Sequence, residues 1–349
     1  MECPTKLEGA MELIIEEGKV LSSIKNYPEV QDWVQDWLSD KSNFIFETSG
    51  TSGNKTTLVF SRQQLMASAE RTCATFQLNK GTKVLHRLPM QFVAGKMNII
   101  RALVANHSVW AEKPSMHFDS DWNAQKNQWD WWPTTPAMLT AFIEANGDTN
   151  FFKKILLGGG KVQPELIGLL TNFNGECYES YGATETLTHI AIRSIKPFNS
   201  GFRWLSGVHV NVKTDGLIVV DDVTKINTFL SDVIHMTSED TFEVLGRADD
   251  VINSGGLKIF PLQVEEILAD WLPFPYYISY LPDAKWGNVV ALVIEDKQDV
   301  SFDHFDWNKI FNGHPIWKPR RVIKVPKIEI NANGKIVRKH NPEGLVDCL

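Results

Sequence analysis

Two glycines three apart among hydroxyl residues, Thr48-Ser49-Gly50-Thr51-Ser52-Gly53-Asn54-Lys55-Thr56, form the first segment able to do chemistry. Glycine lets the backbone turn sharply and present its N–H groups to an anion. The hydroxyls add donors that can follow a chain of phosphates. The Walker template GxxxxGK[ST] is not met, because Asn54 separates Gly53 from Lys55. Alone, the segment reads equally well as a flexible surface loop. A second segment, Tyr181-Gly182-Ala183-Thr184-Glu185-Thr186, offers an aromatic face for a purine and a hydroxyl beside a carboxylate. That pair could touch phosphate and hold Mg2+, which takes few carboxylates plus phosphate oxygens. Its plainer reading is a helix start capped by Thr184. Asp240 could accept from both hydroxyls of a ribose, and Arg247 could reach ribose or phosphate. Residues 252–259 (INSGGLKI) read by themselves as a hairpin. Lys335 follows Asn333-Gly334, a tight-turn pair, and a lone lysine there is ordinarily only solvated.

The elements around these segments alternate. Residues 8–39 have apolar positions at mixed helical spacing and predict two short helices. Residues 43–47 (NFIFE) predict a short buried strand entering the loop at Thr48. Ser61 and Gln64 form a capping-box pattern, so a helix follows to about residue 78. Strands are expected at 83–88, 108–111, 154–157 and 176–180, and helices at 95–106, 135–145 and 164–171. Strands alternating with helices argue for an α/β architecture. From 208 to 245 the texture changes to short strands and turns, as in an appended β subdomain. A charged doublet, Asp249-Asp250, then opens a small α/β unit, where Pro261 suits the first position of a helix. Strands follow at 276–281 and 289–294. The expected boundary is near Asp249, giving domains 1–248 and 249–349. Residues 122–132 (WNAQKNQWDWW) are unusually rich in tryptophan.

Composition sets bounds on partners. A chain of 349 residues with 43% hydrophobic and 22% charged residues is ordinary for a globular protein of one large domain or two. The net charge is −7 and no basic block stands out, which excludes the footprint of a nucleic-acid binder. Cys3, Cys73, Cys177 and Cys348 form no C-x-x-C pair and no disulfide framework. The N-terminus has no basic region followed by an apolar run, and no stretch approaches about 18 apolar residues. The expected location is cytoplasmic; the oligomeric state is not encoded in these features.

Taken together, the four motifs resemble those of the adenylate-forming superfamily of acyl-CoA ligases, luciferases and peptide-synthetase adenylation domains. TSGTSGNKT resembles its phosphate loop, YGATET its adenine and magnesium motif, GRADDVINSGGLKI its hinge and thiol-step motif, and NGKIVRK its C-terminal lysine motif. Order and spacing match over about residues 44–339. The resemblance implies a large N-terminal α/β domain with a β subdomain and a small mobile α+β C-terminal domain. It implies a carboxylate attacking ATP to give acyl-AMP and pyrophosphate, after which coenzyme A displaces AMP. By resemblance, Thr48, Ser49, Gly50, Thr51, Ser52 and Gly53 hold the β- and γ-phosphates, with Lys55 as an auxiliary charge. Gly158, Gly159 and Gly160 pass near adenine and the acyl group. Tyr181 stacks on adenine beside Gly182, Thr184 touches the α-phosphate, Glu185 binds Mg2+, and Asp240 and Arg247 hold the ribose. Lys335 bridges the carboxylate and the α-phosphate. Asp249 is the hinge, Gly255 and Gly256 leave room for the pantetheine arm, and Lys258 meets a coenzyme phosphate. The loop departs from the family's usual TSGTTGxPKG: its lysine is displaced by one position.

The chain is short ahead of the phosphate loop. Among compact members, residues 88–97 (LPMQFVAGKM) resemble the acyl-pocket segment of short bacterial o-succinylbenzoate–CoA ligases of menaquinone biosynthesis. That acid has two carboxylates; one reacts and the other must be neutralised, which Lys96 or Arg87 could do. Lys96 reads equally as a surface lysine. Another aryl- or acyl-CoA ligase, or an adenylate-binding module without turnover, remains as an alternative.

Overall fold

The computed structural model describes residues 11–16, 19–20, 27–48, 56–118, 128–196, 201–298, 300–330, 336–339 and 342–348. By compactness the chain divides into two units. One comprises Met1–Val210, Val219–Thr228 and Ser238–Thr241; the other comprises Asn211–Ile218, Phe229–Thr237 and Phe242–Leu349. The expected run of short strands from 208 to 245 is present, as Val208–Lys213, Gly216–Asp221, Ile226–Leu230, Asp232–Met236 and Thr241–Arg247.

The first unit is built on a mixed sheet. Its parallel strands lie in the order Glu176–Gly182, Phe152–Leu157, Trp129–Thr134, Lys83–His86, Ser108–Ala111. His189–Lys196 and then Phe202–Trp204 add antiparallel on one side, and Met11–Glu16 on the other. Parallel strands are buried on both faces and therefore read as continuous apolar runs. Val84, Leu85, Trp131, Trp132, Ile155 and Leu157 are all at most 1% exposed. The tryptophan-rich stretch is thus partly explained as core: Trp132 stacks on Phe152 with ring centroids 4.4 Å apart. Chain order runs outward in opposite directions from the neighbours Lys83–His86 and Trp129–Thr134. Such a reversal marks the place where open α/β sheets bind ligands, beyond the carboxyl ends of the strands.

Helices cover this sheet much as expected. Arg62–Phe76 begins with a complete capping box between Ser61 and Gln64. Pro136–Glu144 has Thr135 as its cap, accepting from the Met138 N–H at 3.2 Å. Val93–Ala105 is buried on nearly every side, from Gly95 through Leu103. The N-terminal expectation of two helices is not met among the described residues: there only Pro28–Leu38 is helical, and Met11–Glu16 is a strand paired with Ser108–Ala111. The segment MELIIE suits either state, and the open edge of the sheet decides between them, because strand pairing overrides weak local propensity.

Asn43–Glu47 and Thr57–Ser61 form an antiparallel hairpin. It is half-buried, not buried as expected. Phe44, Phe46 and Phe60 face inward, whereas Ile45 and Val59 are 60% and 59% exposed. The second unit carries a sheet of Tyr276–Asp283, Gly287–Glu295, Arg321–Val325 and Leu345–Cys348. Helix Pro261–Ala269, with proline in its first turn, packs Val264 and Leu268 into that unit's core. Residues 252–259 form the expected hairpin, from Ile252–Ser254 and Leu257–Ile259. Among the described residues no helix is long and apolar enough to cross a membrane.

Candidate active site

Thr48 and Thr56 close the hairpin that carries the first motif. The Thr48 N–H donates to Thr56 O at 2.9 Å, and the Thr56 N–H donates to Thr48 Oγ1 at 3.0 Å. Ser49, Gly50, Thr51, Ser52, Gly53 and Lys55 lie outside the described residues. Strand Asn43–Glu47 rests on an aromatic cluster: Trp33 meets Phe44 and Phe46 at ring separations of 5.4 and 5.7 Å. Lys96 joins that cluster. Its Nζ donates to Ile45 O at 3.1 Å and stands 4.8 Å from the Trp33 ring and 5.0 Å from that of Phe46. Burial lowers the Lys96 pKa, with the Glu47 carboxylate opposing the shift. Lys96, read from the sequence equally as a counter-cation for an acid and as a surface lysine, is directed at strand Asn43–Glu47, which leads to Thr48.

The next two motifs meet at the carboxyl ends of adjacent parallel strands. Leu157 runs into Gly158, Gly159 and Gly160, and the Gly158 N–H donates to Thr134 O at 3.0 Å. Ser180 Oγ donates to Leu157 O at 2.8 Å, so the glycine turn lies against the strand that ends in Tyr181 and Gly182. The Tyr181 ring lies 5.8 Å from Phe202 and 6.3 Å from Trp204. Gly182 is required by space. A Cβ there would stand 2.4 Å from Thr188 O. Thr184–Thr186 is a single 3-10 turn, not the start of a longer helix. The Ala183 N–H donates to Thr186 Oγ1 at 2.9 Å, so Thr186 rather than Thr184 fastens the turn. Leu187, fully buried, follows at φ 63° and ψ −41°. A branched residue at positive φ stores on the order of 1–3 kcal/mol of backbone strain, which persists only where the surroundings impose it. Glu185 is half-buried and forms no hydrogen bond or ion pair among the described residues. No cluster of three or more metal-ligating side chains exists among those residues. Glu185 nevertheless fits Mg2+, which binds through one or two carboxylates together with substrate phosphates.

The ribose candidates fall in different units. Asp240 accepts from Ser238 Oγ at 2.9 Å and pairs with Arg203 Nε at 3.3 Å. Arg203 was not singled out from the sequence. In the second unit, Arg247 Nη2 donates to Ser231 Oγ at 2.5 Å and to Asp249 Oδ2 at 3.2 Å. Asp249 sits in the 3-10 turn Ala248–Asp250. Gly255 has φ 56°, and a Cβ there would meet the Trp286 indole at 2.7 Å. Both facts demand glycine. Gly256 completes the turn, and Lys258 lies on the exposed strand beyond it, opposite Asn253. Lys335 lies outside the described residues, but its flanks are fastened. Ile336 bridges to Ile330, and the Val337 N–H donates to Glu329 O at 2.9 Å. Arg338 pairs with Glu265 on helix Pro261–Ala269.

Two buried arginines separate structure from chemistry. Arg87, just past the switch-point strand Lys83–His86, pairs with Glu112 at 3.4 Å and donates to His117 O at 3.0 Å. It also lies 4.1 Å from the Phe118 ring, so it already has an anionic partner. Arg101, 4% exposed on helix Val93–Ala105, has none among the described residues. Its Nη2 donates to Thr188 Oγ1 at 3.3 Å, beside the Tyr181–Thr186 turn, and its Nε is unpartnered. Burial lowers its pKa to about 10, which leaves it charged at neutral pH. The sequence signal was available: a lone cation inside the apolar run of Met97, Ile99, Ile100, Leu103 and Val104.

Comparison with known proteins bears on this geometry. A protein of Dyadobacter fermentans described as acyl-CoA synthetase (AMP-forming)/AMP-acid ligase II-like superposes with a TM-score of 0.61 at 23% identity, over 94% of this chain and 97% of that one. The o-succinylbenzoate CoA synthetase of Bacillus subtilis, in complex with the acyl-adenylate intermediate OSB-AMP, superposes with a TM-score of 0.73 at 20% identity, over 86% and 69%. The fold is therefore that of adenylate-forming enzymes. In sequence, the chain is 25% identical to a 2-succinylbenzoate–CoA ligase of Staphylococcus epidermidis, over 84% of this chain and 68% of the relative. One from Listeria monocytogenes is 22% identical over 87% and 70%. The family model described as AMP-binding enzyme matches residues 6–224, more than half of the sequence, and the chain belongs to that family.

Proposed function

We propose that this chain is an ATP-dependent carboxylate–CoA ligase that works through an acyl-adenylate, with o-succinylbenzoate as its acid. The observation that carries the choice of acid is Arg101. Its guanidinium is buried with no anionic partner among the described residues, which is costly, and a substrate carboxylate would offset that cost. An acid with two carboxylates can supply one to Arg101 and the other to the reaction. The relatives named for this acid favour the same reading.

The adenylation half-reaction then distributes as follows. Tyr181 takes the adenine, the hairpin loop at Thr48 the β- and γ-phosphates, Thr184 the α-phosphate, and Asp240 and Arg247 the ribose. Mg2+ at Glu185 would supply partial neutralisation of the phosphate charge. Lys335 draws the attacking carboxylate toward the α-phosphorus, two anions that would otherwise repel, and stabilises the charge that builds between them. For the thiol step, residues 249–349 turn as a domain about Asp249, and the glycine turn at Gly255 and Gly256 admits the pantetheine arm. Lys258 meets a coenzyme phosphate. The enzyme works in the cytoplasm, where ATP and coenzyme A are available.

ATP–pyrophosphate exchange against a panel of acids tests the proposal. Exchange with o-succinylbenzoate and not with monocarboxylic aryl or fatty acids is expected. Exchange with another acid alone would move the enzyme elsewhere in the family. No exchange with any acid, despite AMP binding, would make it an adenylate-binding module.

A further inference from the structure

Two walls of the nucleotide site are joined by an ion pair that the reaction itself does not use. Glu179 lies on strand Glu176–Gly182, two residues before Tyr181, and is 4% exposed. Its Oε1 accepts from the Val162 N–H at 3.2 Å, on the segment that follows Gly158–Gly160. Its Oε2 accepts from Arg193 at 2.6 Å from Nε and 2.5 Å from Nη2. The Arg193 guanidinium in turn lies 4.9 Å from the Phe202 ring, and Phe202 lies 5.8 Å from the Tyr181 ring. One continuous path therefore links the glycine segment to the aromatic ledge: Val162, Glu179, Arg193, Phe202, Tyr181.

A pair this well buried has cost several kcal/mol of desolvation per ion, and an apolar pair of equal volume would often serve stability as well. What an apolar pair lacks is direction. The planar fork of arginine fixes the carboxylate's orientation, and the carboxylate's second oxygen fixes the N–H of Val162. We infer that Glu179 and Arg193 are positioning residues for the nucleotide: they hold the glycine segment and the Tyr181–Phe202 ledge at the spacing that grips adenine. The inference rests on the reading of Tyr181 as the adenine platform, and it assigns the pair to affinity for the nucleotide, not for the acid.

The test uses the full chain and AMP alone as probe. Glu179→Gln keeps an acceptor for Val162 but removes the charge. Arg193→Lys keeps the charge but removes the fork. Calorimetry should show each raising the Kd for AMP about tenfold, the size of one lost charge-assisted hydrogen bond. The KM for ATP should rise in step while the KM for the acid stays within about twofold, a split that general loosening of the fold would not produce. Unchanged AMP affinity in a folded Glu179→Gln protein overturns the inference, and so does an equal rise in both KM values. Should Glu179→Gln fail to fold, Arg193→Lys carries the test with the same two outcomes. Wild-type protein that binds no AMP would sink the proposed function and this inference together. Wild-type protein that binds AMP but does not use o-succinylbenzoate would sink only the choice of acid.

Discussion

Replacing Arg101 with methionine should push stability and activity in opposite directions. In the free protein the guanidinium is buried; among the described residues it donates one long hydrogen bond, to Thr188 at 3.3 Å, and leaves Nε without a partner. Buried ions carry an effective desolvation penalty of several kcal/mol, and replacement by an apolar side chain of similar volume is often stabilising by about 1–4 kcal/mol. The melting temperature of Arg101→Met should therefore hold or rise. With a dianionic acid bound, the same change strands a carboxylate in a dry site. Removing one partner of a buried pair costs about 3–5 kcal/mol, which corresponds to roughly 10²- to 4 × 10³-fold in kcat/KM. The assay is ATP–pyrophosphate exchange with o-succinylbenzoate and with an analogue lacking the unreactive carboxylate. The wild-type preference for the diacid should collapse in the variant, with the analogue nearly unaffected. Loss of both substrates in equal measure, or a melting temperature lowered by several degrees, would show that Arg101 holds the fold and not the acid.

Other perturbations probe other links. Lys335→Ala should cut acyl-AMP formation on the order of 10²–10³-fold while preformed acyl-AMP still reacts with coenzyme A; pyrophosphate release at the normal rate would remove Lys335 from the mechanism. Asp249→Pro should slow thioester formation more than adenylation, and equal losses in separate half-reaction assays would count against a hinge. Lys96→Leu should raise the KM for ATP through the hairpin before that for the acid; the reverse order in steady-state kinetics would restore Lys96 to the acid pocket. Stability should fall on acidification below about pH 6.5. Burial lowers the pKa of His86 to about 3 and of His107 to about 4, and it lowers that of His189 as well. These imidazoles stay neutral in the fold, so their contribution is complete above the unfolded value. It is lost as pH falls from there toward the folded values, because the unfolded chain takes up protons that the fold refuses. At pH 5 the loss is about 2 kcal/mol each for His86 and His107, with His189 acting in the same direction, a large part of the stability of an ordinary domain. Denaturant unfolding at pH 7.5 and 5 checks this, and equal free energies would refute it.

Sequence and structure agree where short-range signals are strong. The capping box at Ser61, the proline-led helix at Pro261, the hairpin at 252–259 and the strands Phe152–Leu157 and Glu176–Gly182 all follow from local chemistry. Disagreement arises where partners distant in sequence decide. Met11–Glu16 became a strand because Ser108–Ala111 offered it an edge. Lys96 and Arg87, candidates for neutralising an acid, contact Ile45 O and Glu112, and neither contact is visible from local pattern. Arg101 was legible in principle, since a cation in an apolar helical run is rarely idle. The pair of Glu179 and Arg193 was not, because its meaning lies in the register between two antiparallel strands.

The hairpin closed by Thr48 and Thr56 has a consequence for how this chain can change over time. Its ends are pinned by main-chain hydrogen bonds, by inward-facing phenylalanines and by Lys96, none of which belongs to residues 49–55. These contacts and the proposed phosphate chemistry of residues 49–55 are thereby assigned to different residues. A substitution at residues 49–55 leaves these particular hydrogen bonds and ring contacts in place, because residues outside that stretch make them. On the proposed role of residues 49–55, exchange of that stretch for a relative's version should alter the KM for ATP while the hairpin's described contacts stay in place.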